Sequence, residues 1–140
     1  MLILASGRNL DPTAHDRFSI LDLFGWQNMQ SIRGGAMIVP RHRGIVTAQF
    51  LDFRLAAAQD AAYNSSGGAT VRNSSGLDGK HTGEETDIYT WYELNRHLNL
   101  GASFGDFEAG RFISATTNTQ FYRGPYFAIN FKDAGRAERR

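Results

Sequence analysis

Apolar and polar residues alternate with a period of two in five places along the chain, and that is the signature of strands with two unlike faces. In Gln27–Val39, Ile32, Gly34, Ala36 and Ile38 share one face, and Ser31, Arg33, Gly35 and Met37 share the other. In Glu84–Leu94, Thr86, Ile88, Thr90, Tyr92 and Leu94 oppose Glu85, Asp87, Tyr89, Trp91 and Glu93. In Leu98–Phe107, Leu98, Leu100, Ala102 and Phe104 oppose Asn99, Gly101, Ser103 and Gly105, and the glycines argue against helix. In Tyr122–Lys132, Phe127, Ile129 and Phe131 oppose Tyr126, Ala128 and Asn130. Pro125 is tolerable near that strand's start.

The remaining strand, Gly44–Ala56, slips in phase. Val46, Ala48 and Phe50 share a face, and then Leu51, Phe53 and Leu55 follow one residue out of step. A β-bulge near Phe50–Leu51 would bring both halves onto one face and turn Asp52 and Arg54 to the side of Gln49.

The connections run short, long, short, medium. Pro40–Arg43 and Asn95–His97 are tight polar turns, whereas Ala57–Gly83 and Glu108–Phe121 are long and irregular. Outer-membrane barrels have short periplasmic turns and long external loops, and their strands need only ~9–11 residues to cross. A soluble sandwich or lipocalin-like barrel also alternates, so periodicity leaves both architectures open.

Composition narrows the classes. Ten Phe, five Tyr, two Trp and 15 Gly against three Pro favour an all-β chain. No apolar stretch approaches the ~20 residues of a membrane helix. The net charge of +1 gives no basic footprint for nucleic acid, and the absence of cysteine removes disulfides and thiolate metal sites. Met1-Leu2-Ile3-Leu4-Ala5 is too short for the apolar core of an export signal and follows no basic residue, so a longer parent chain is expected.

The order of several short motifs resembles the alginate export family of bacterial outer-membrane β-barrels. They are Leu10-Asp11-Pro12-Thr13-Ala14-His15-Asp16, Asp22-Leu23-Phe24-Gly25-Trp26-Gln27-Asn28, and Ala56–Asn64 ending in Asp60-Ala61-Ala62-Tyr63-Asn64. Gly83-Glu84-Glu85-Thr86-Asp87, Leu94-Asn95-Arg96-His97-Leu98 and Gly105-Asp106-Phe107-Glu108-Ala109-Gly110 continue the order. The resemblance spans roughly Leu10 to Lys132. It implies about five C-terminal strands (27–132) of a larger antiparallel transmembrane barrel, preceded by a partial strand and external loop (1–26) and followed by a charged, disordered tail (133–140). The tail departs from the family's closing aromatic residue.

The implied function is a channel or porin segment for export or diffusion of an anionic, alginate-like polysaccharide or small solutes. It is not an enzyme, and no cofactor or metal is expected. Its partners would be outer-membrane lipid, the transported polymer or solute, and the outer-membrane assembly machinery. Pore-lining candidates are Arg33, Asp52, Arg54, Glu85, Asp87, Tyr89, Trp91, Glu93 and Arg123; the wall is mixed in sign. Lipid-facing candidates are Ile32, Ile38, Ile88, Tyr92, Leu98, Leu100, Phe104, Phe127, Ile129 and Phe131. The alternatives are a soluble lipocalin-like binding module and a nonfunctional truncated remnant.

Other chemistry is thin. His15-Asp16 with Asp22 is one polar cluster in a loop, and a metal or an acid–base site needs several converging groups. Glu84-Glu85-x-Asp87 lacks the glycine-centred loop of an EF-hand, and on a strand Glu85 and Asp87 share a face while Glu84 points away. Gly67-Gly68 and Gly105-Asp106 lack the Lys-Ser/Thr of a phosphate loop. Tyr89, Trp91, Tyr92, Tyr122 and Tyr126 suit either sugar stacking or an interfacial belt; Tyr92 fits the belt.

Overall fold

The computed structural model describes residues 3–7, 19–41 and 43–131, with side chains for 19–40 and 43–130. The strands are β1 (Ile3–Gly7), β2 (Met29–Arg41), β3 (Gly44–Leu55), β4 (Ala61–Tyr63), β5 (Ala69–Arg72), β6 (His81–Asn95), β7 (Leu98–Ala109) and β8 (Phe121–Phe131). The helix α1 (Arg111–Thr117) lies between β7 and β8. A six-stranded antiparallel sheet runs β1-β2-β3-β6-β7-β8, and β4-β5 form a separate hairpin. The sheet is open among the described residues, with β1 and β8 at its edges.

The five expected strands are present, with β1 added beside β2. The long connection Ala57–Gly83 carries the β4–β5 hairpin, and Glu108–Phe121 carries α1, the end of β7 and the start of β8. The first turn is tighter than its composition suggests, because β2 runs through Pro40 to Arg41. Pro40 fits there because the pairing of β2 with β3 is irregular between Ile38 and Arg41, a break in the ladder where its missing N–H is tolerated.

Directly paired residues share a face, so the register assigns the two sides of the sheet. Met29, Ser31, Arg33, Leu51, Phe53, Glu85, Asp87, Tyr89, Trp91, Phe107 and Ser103 lie on one side. The long connections leave from the same end of the sheet, and their described residues fold over this side, which we call the covered face. Phe24 packs its ring 5.4 Å from Phe53 and 5.5 Å from Phe107. Met29, Leu51, Leu55, Ala62, Phe112 and Ile113 complete this core. The opposite, bare face has no covering layer among the described residues.

No bulge interrupts β3 at Phe50–Leu51: its pairing with β2 and with β6 is continuous there. The irregularity lies on the partner strand, where Phe53 pairs with Gly83 and Arg54 with His81, leaving Thr82 extra on β6. Asp52, Arg54 and Arg123 are therefore on the bare face, in place of the inward position expected of them. The phase slip in the sequence has another cause. Toward the short-turn end the bare face is apolar (Val46, Ala48, Phe50). Toward the long-loop end the apolar set moves to the covered face (Leu51, Phe53, Leu55), where the connections bury it.

Candidate functional site

Two regions bear on function: the bare face and a groove on the covered face. On the bare face, Ile32, Ile38, Ile88, Tyr92, Leu100, Phe104, Phe127 and Ile129 are exposed. Phe127 is 77% and Ile129 65% accessible. Leu98 lies on the same face by register, and its backbone pairs with that of Phe131. The expected apolar residues with described side chains thus share one side. At the long-loop end this face becomes charged, with Asp52 opposite Glu84 and Glu84 opposite Glu108. Arg54 Nε donates to Asp52 Oδ1 at 2.7 Å, and Arg123 Nε to Asp106 Oδ1 at 2.8 Å. His81 Nε2 lies 3.1 Å from Asp52 Oδ2 and 3.8 Å from Glu84 Oε1, a proximity that the sequence does not signal because Thr82 is the bulged residue between them.

On the covered face, Arg33, Gln49, Tyr89, Trp91, Ser103 and Tyr126 line a groove that Ile20 closes at one side. Of the expected lining residues, Arg33, Tyr89 and Trp91 are brought together here. Glu93 lies on the same side, opposite Asn99. Glu85 and Asp87 also face this side but have no exposed surface. They hold the segment that precedes β2: Leu21 N donates to Glu85 Oε1 at 3.1 Å, and Ile20 N to Asp87 Oδ2 at 3.3 Å. Gln49 Nε2 donates to the same Asp87 oxygen at 2.8 Å. These two carboxylates are thus anchors for a loop, and Glu84, on the other face, is separate from them as their alternation requires. The main-chain and amide donors offset part of the cost of burying them, while Glu85 Oε2 and Asp87 Oδ1 are buried with no hydrogen-bond partner among the described residues.

Asp22 sits in a turn with φ 51° and its N–H donates to Ser19 Oγ at 3.2 Å. His15, Asp16 and the motif Leu10–Asp16 lie outside the described residues, as does the 133–140 tail.

Residues 4–126 match the family described as alginate export. The chain belongs to the alginate export family. Membership carries a family-level meaning: an outer-membrane location, an all-β architecture and a role in alginate or polysaccharide export as opposed to catalysis. No curated protein and no solved structure matches the chain significantly. For this alginate export protein, the match runs from β1 to the first half of β8 and includes residues of both faces described above. No helix among its described residues is long and apolar enough to cross a membrane, which leaves crossing by strands open.

Proposed function

We propose that this chain is a wall segment of a transmembrane β-barrel channel that passes an anionic, alginate-like polysaccharide or small solutes. The observation that carries it is the exchange of polarity across the sheet. Where the bare face is apolar, the covered face carries Gln49, Tyr89, Ser103 and Asn99; where the bare face turns to Asp52, Glu84, Asp106 and Glu108, the covered face becomes a buried core that is apolar apart from Glu85 and Asp87. A lipid-spanning wall needs this pattern: hydrocarbon outside at membrane depth, water inside, and charge outside above the interface. A lipocalin-like module would instead bury its most apolar strand residues. Here Phe127 and Ile129 are among the most exposed. The strands β2, β3, β6, β7 and β8 have 13, 12, 15, 12 and 11 residues. That is long enough for a tilted crossing of ~9–11 residues.

Arg33 is the one expected pore cation that remains on the inner side, and in a narrow, low-dielectric passage it would favour anions. The absence of cysteine makes the test direct. Single cysteines at Leu100, Phe104, Phe127 and Ser103 are labelled with a fluorophore in vesicles containing bromine-labelled lipid. Strong quenching at the first three and weak quenching at Ser103 is the expected result; equal quenching at all four would refute the wall assignment.

A further inference from the structure

Trp91 stands opposite Gly101 across β6 and β7. A Cβ placed on Gly101 would lie 2.9 Å from Trp91 Cζ3 and 3.0 Å from both Cε3 and Cη2. Three consecutive ring atoms at nearly equal distance put that point above the ring face; an edge-on approach would leave the outer two distinctly farther than the middle one. The indole therefore lies flat on the Gly101 backbone, in space that any side chain at 101 would take. Its second face is turned away from the strand. Trp91 is 38% accessible and borders the groove with Tyr89, Ser103 and Tyr126, and with Arg33 and Gln49 farther along.

We propose that Trp91 is a stacking platform for a sugar ring of an acidic polysaccharide, with Arg33 holding a carboxylate of a sugar several units farther along the groove. This rests on the channel reading and names the substrate contact within it. A pyranose presents a C–H face whose slightly positive hydrogens suit the negative face of an indole. Its hydroxyls meet Ser103 beside the ring, and Gln49 lines the groove farther along. Arg33 is the one charged residue among the groove's described lining, and a guanidinium fork matches a carboxylate. Arg33 pairs with Leu51 and Trp91 with Ile45, six residues apart on β3, so their backbones are about 20 Å apart along the strand. That separation calls for an oligosaccharide and excludes a monosaccharide spanning both contacts. The competing role for Trp91 is packing alone, an aromatic ring filling the gap left by a strand glycine.

The test uses the whole protein in detergent micelles, with a mannuronate hexamer as probe and maltohexaose as neutral control. Calorimetry should give saturable binding of the acidic hexamer. Trp91→Leu, which keeps apolar bulk over Gly101 but has no π face, should weaken it roughly tenfold, the scale of one lost stacking contact. Trp91→Phe should retain most of the affinity, and Arg33→Gln should weaken the acidic hexamer while leaving the neutral one unchanged. Melting temperatures monitor folding of each variant. Equal affinity in Trp91→Leu, Trp91→Phe and the parent protein overturns the stacking role, and so does the absence of any binding by the parent. Ion conductance of the parent in planar bilayers separates the two failures: conductance without oligosaccharide binding leaves the channel reading standing, whereas absence of both removes it.

Discussion

Glu85 and Asp87 lie two residues apart on the covered face of β6, and each accepts a main-chain N–H from one short segment, Leu21 N to Glu85 Oε1 and Ile20 N to Asp87 Oδ2. Both side chains are fully buried. The segment Ser19–Phe24 is thereby held against the strand by its backbone, and Phe24 then completes the core between Phe53 and Phe107.

That clamp predicts the behaviour of Asp87→Ala. The change removes the acceptor of both Ile20 N and Gln49 Nε2, and stranded donors cost about 1–3 kcal/mol. Hydrogen exchange at Ile20 and Leu21 should accelerate well before the amides at the centre of β6 respond. Unchanged protection of Ile20 and Leu21 would show that core packing alone seats the segment.

The two faces of β7 should differ in their tolerance of charge. Leu100→Arg should cost about 2–4 kcal/mol of folding in lipid if it lies near the bilayer midplane. Ser103→Arg, on the groove side and in contact with water, should cost far less. Urea titrations of both variants in vesicles measure the difference, and equal losses would defeat the assignment of the faces.

Arginine position should decide ion selectivity. Arg33 lines the groove, whereas Arg54 is on the bare face, its Nε on Asp52. Arg33→Ser should reduce anion preference in reversal-potential measurements across a salt gradient, and the effect should shrink as salt rises. Arg54→Ser should leave the reversal potential where it was. Equal shifts from the two variants, or none from Arg33→Ser at low salt, would remove Arg33 from the selectivity role.

The β4–β5 hairpin should loosen in acid through Asp60. Its carboxylate accepts the Ala61 N–H and the Tyr63 hydroxyl, each at 2.8 Å. These bonds, with Arg72 adding a smaller part, hold its pKa below the ordinary value near 3.8. A depressed folded-state pKa gives stability that is present above the ordinary value and is lost as pH falls through the lowered one. Amide shifts of Ala61 and Tyr63 should stay constant down to about pH 4 and change only below it. In Asp60→Asn that acid transition should vanish; its persistence would assign the titration to another group.

The strands were legible because side chains on a pleated strand alternate strictly, so even a mixed face such as Glu85, Asp87, Tyr89, Trp91 and Glu93 declares its membership by position alone. The shared face of the apolar set from Ile32 to Ile129 was readable for the same reason, and the opposite face of Arg33 with it. The phase slip in Gly44–Ala56 was visible too, but its meaning was not. A bulge on β3 and a change in what covers the sheet leave the same mark in one strand's sequence. The distinction lies in the partner's register, where Thr82 is extra and Gly83, with its φ of 153°, accepts the Phe107 ring where a Cβ would clash at 2.4 Å.

Local alternation, then, determined the five long strands, the apolar face and the short turns, since each depends on neighbours within one or two residues; the β4–β5 hairpin and α1 carry no such period and lie where the sequence reads as irregular connections. Only the tertiary structure decided which way Asp52, Arg54 and Arg123 face at the charged end, that buried Glu85 and Asp87 anchor Ser19–Phe24, and that Gly101 is the seat of the Trp91 ring. Those relations join residues from 10 to 67 positions apart. They arise when antiparallel register and folded loops bring such residues together, and no periodicity along a single strand records that pairing.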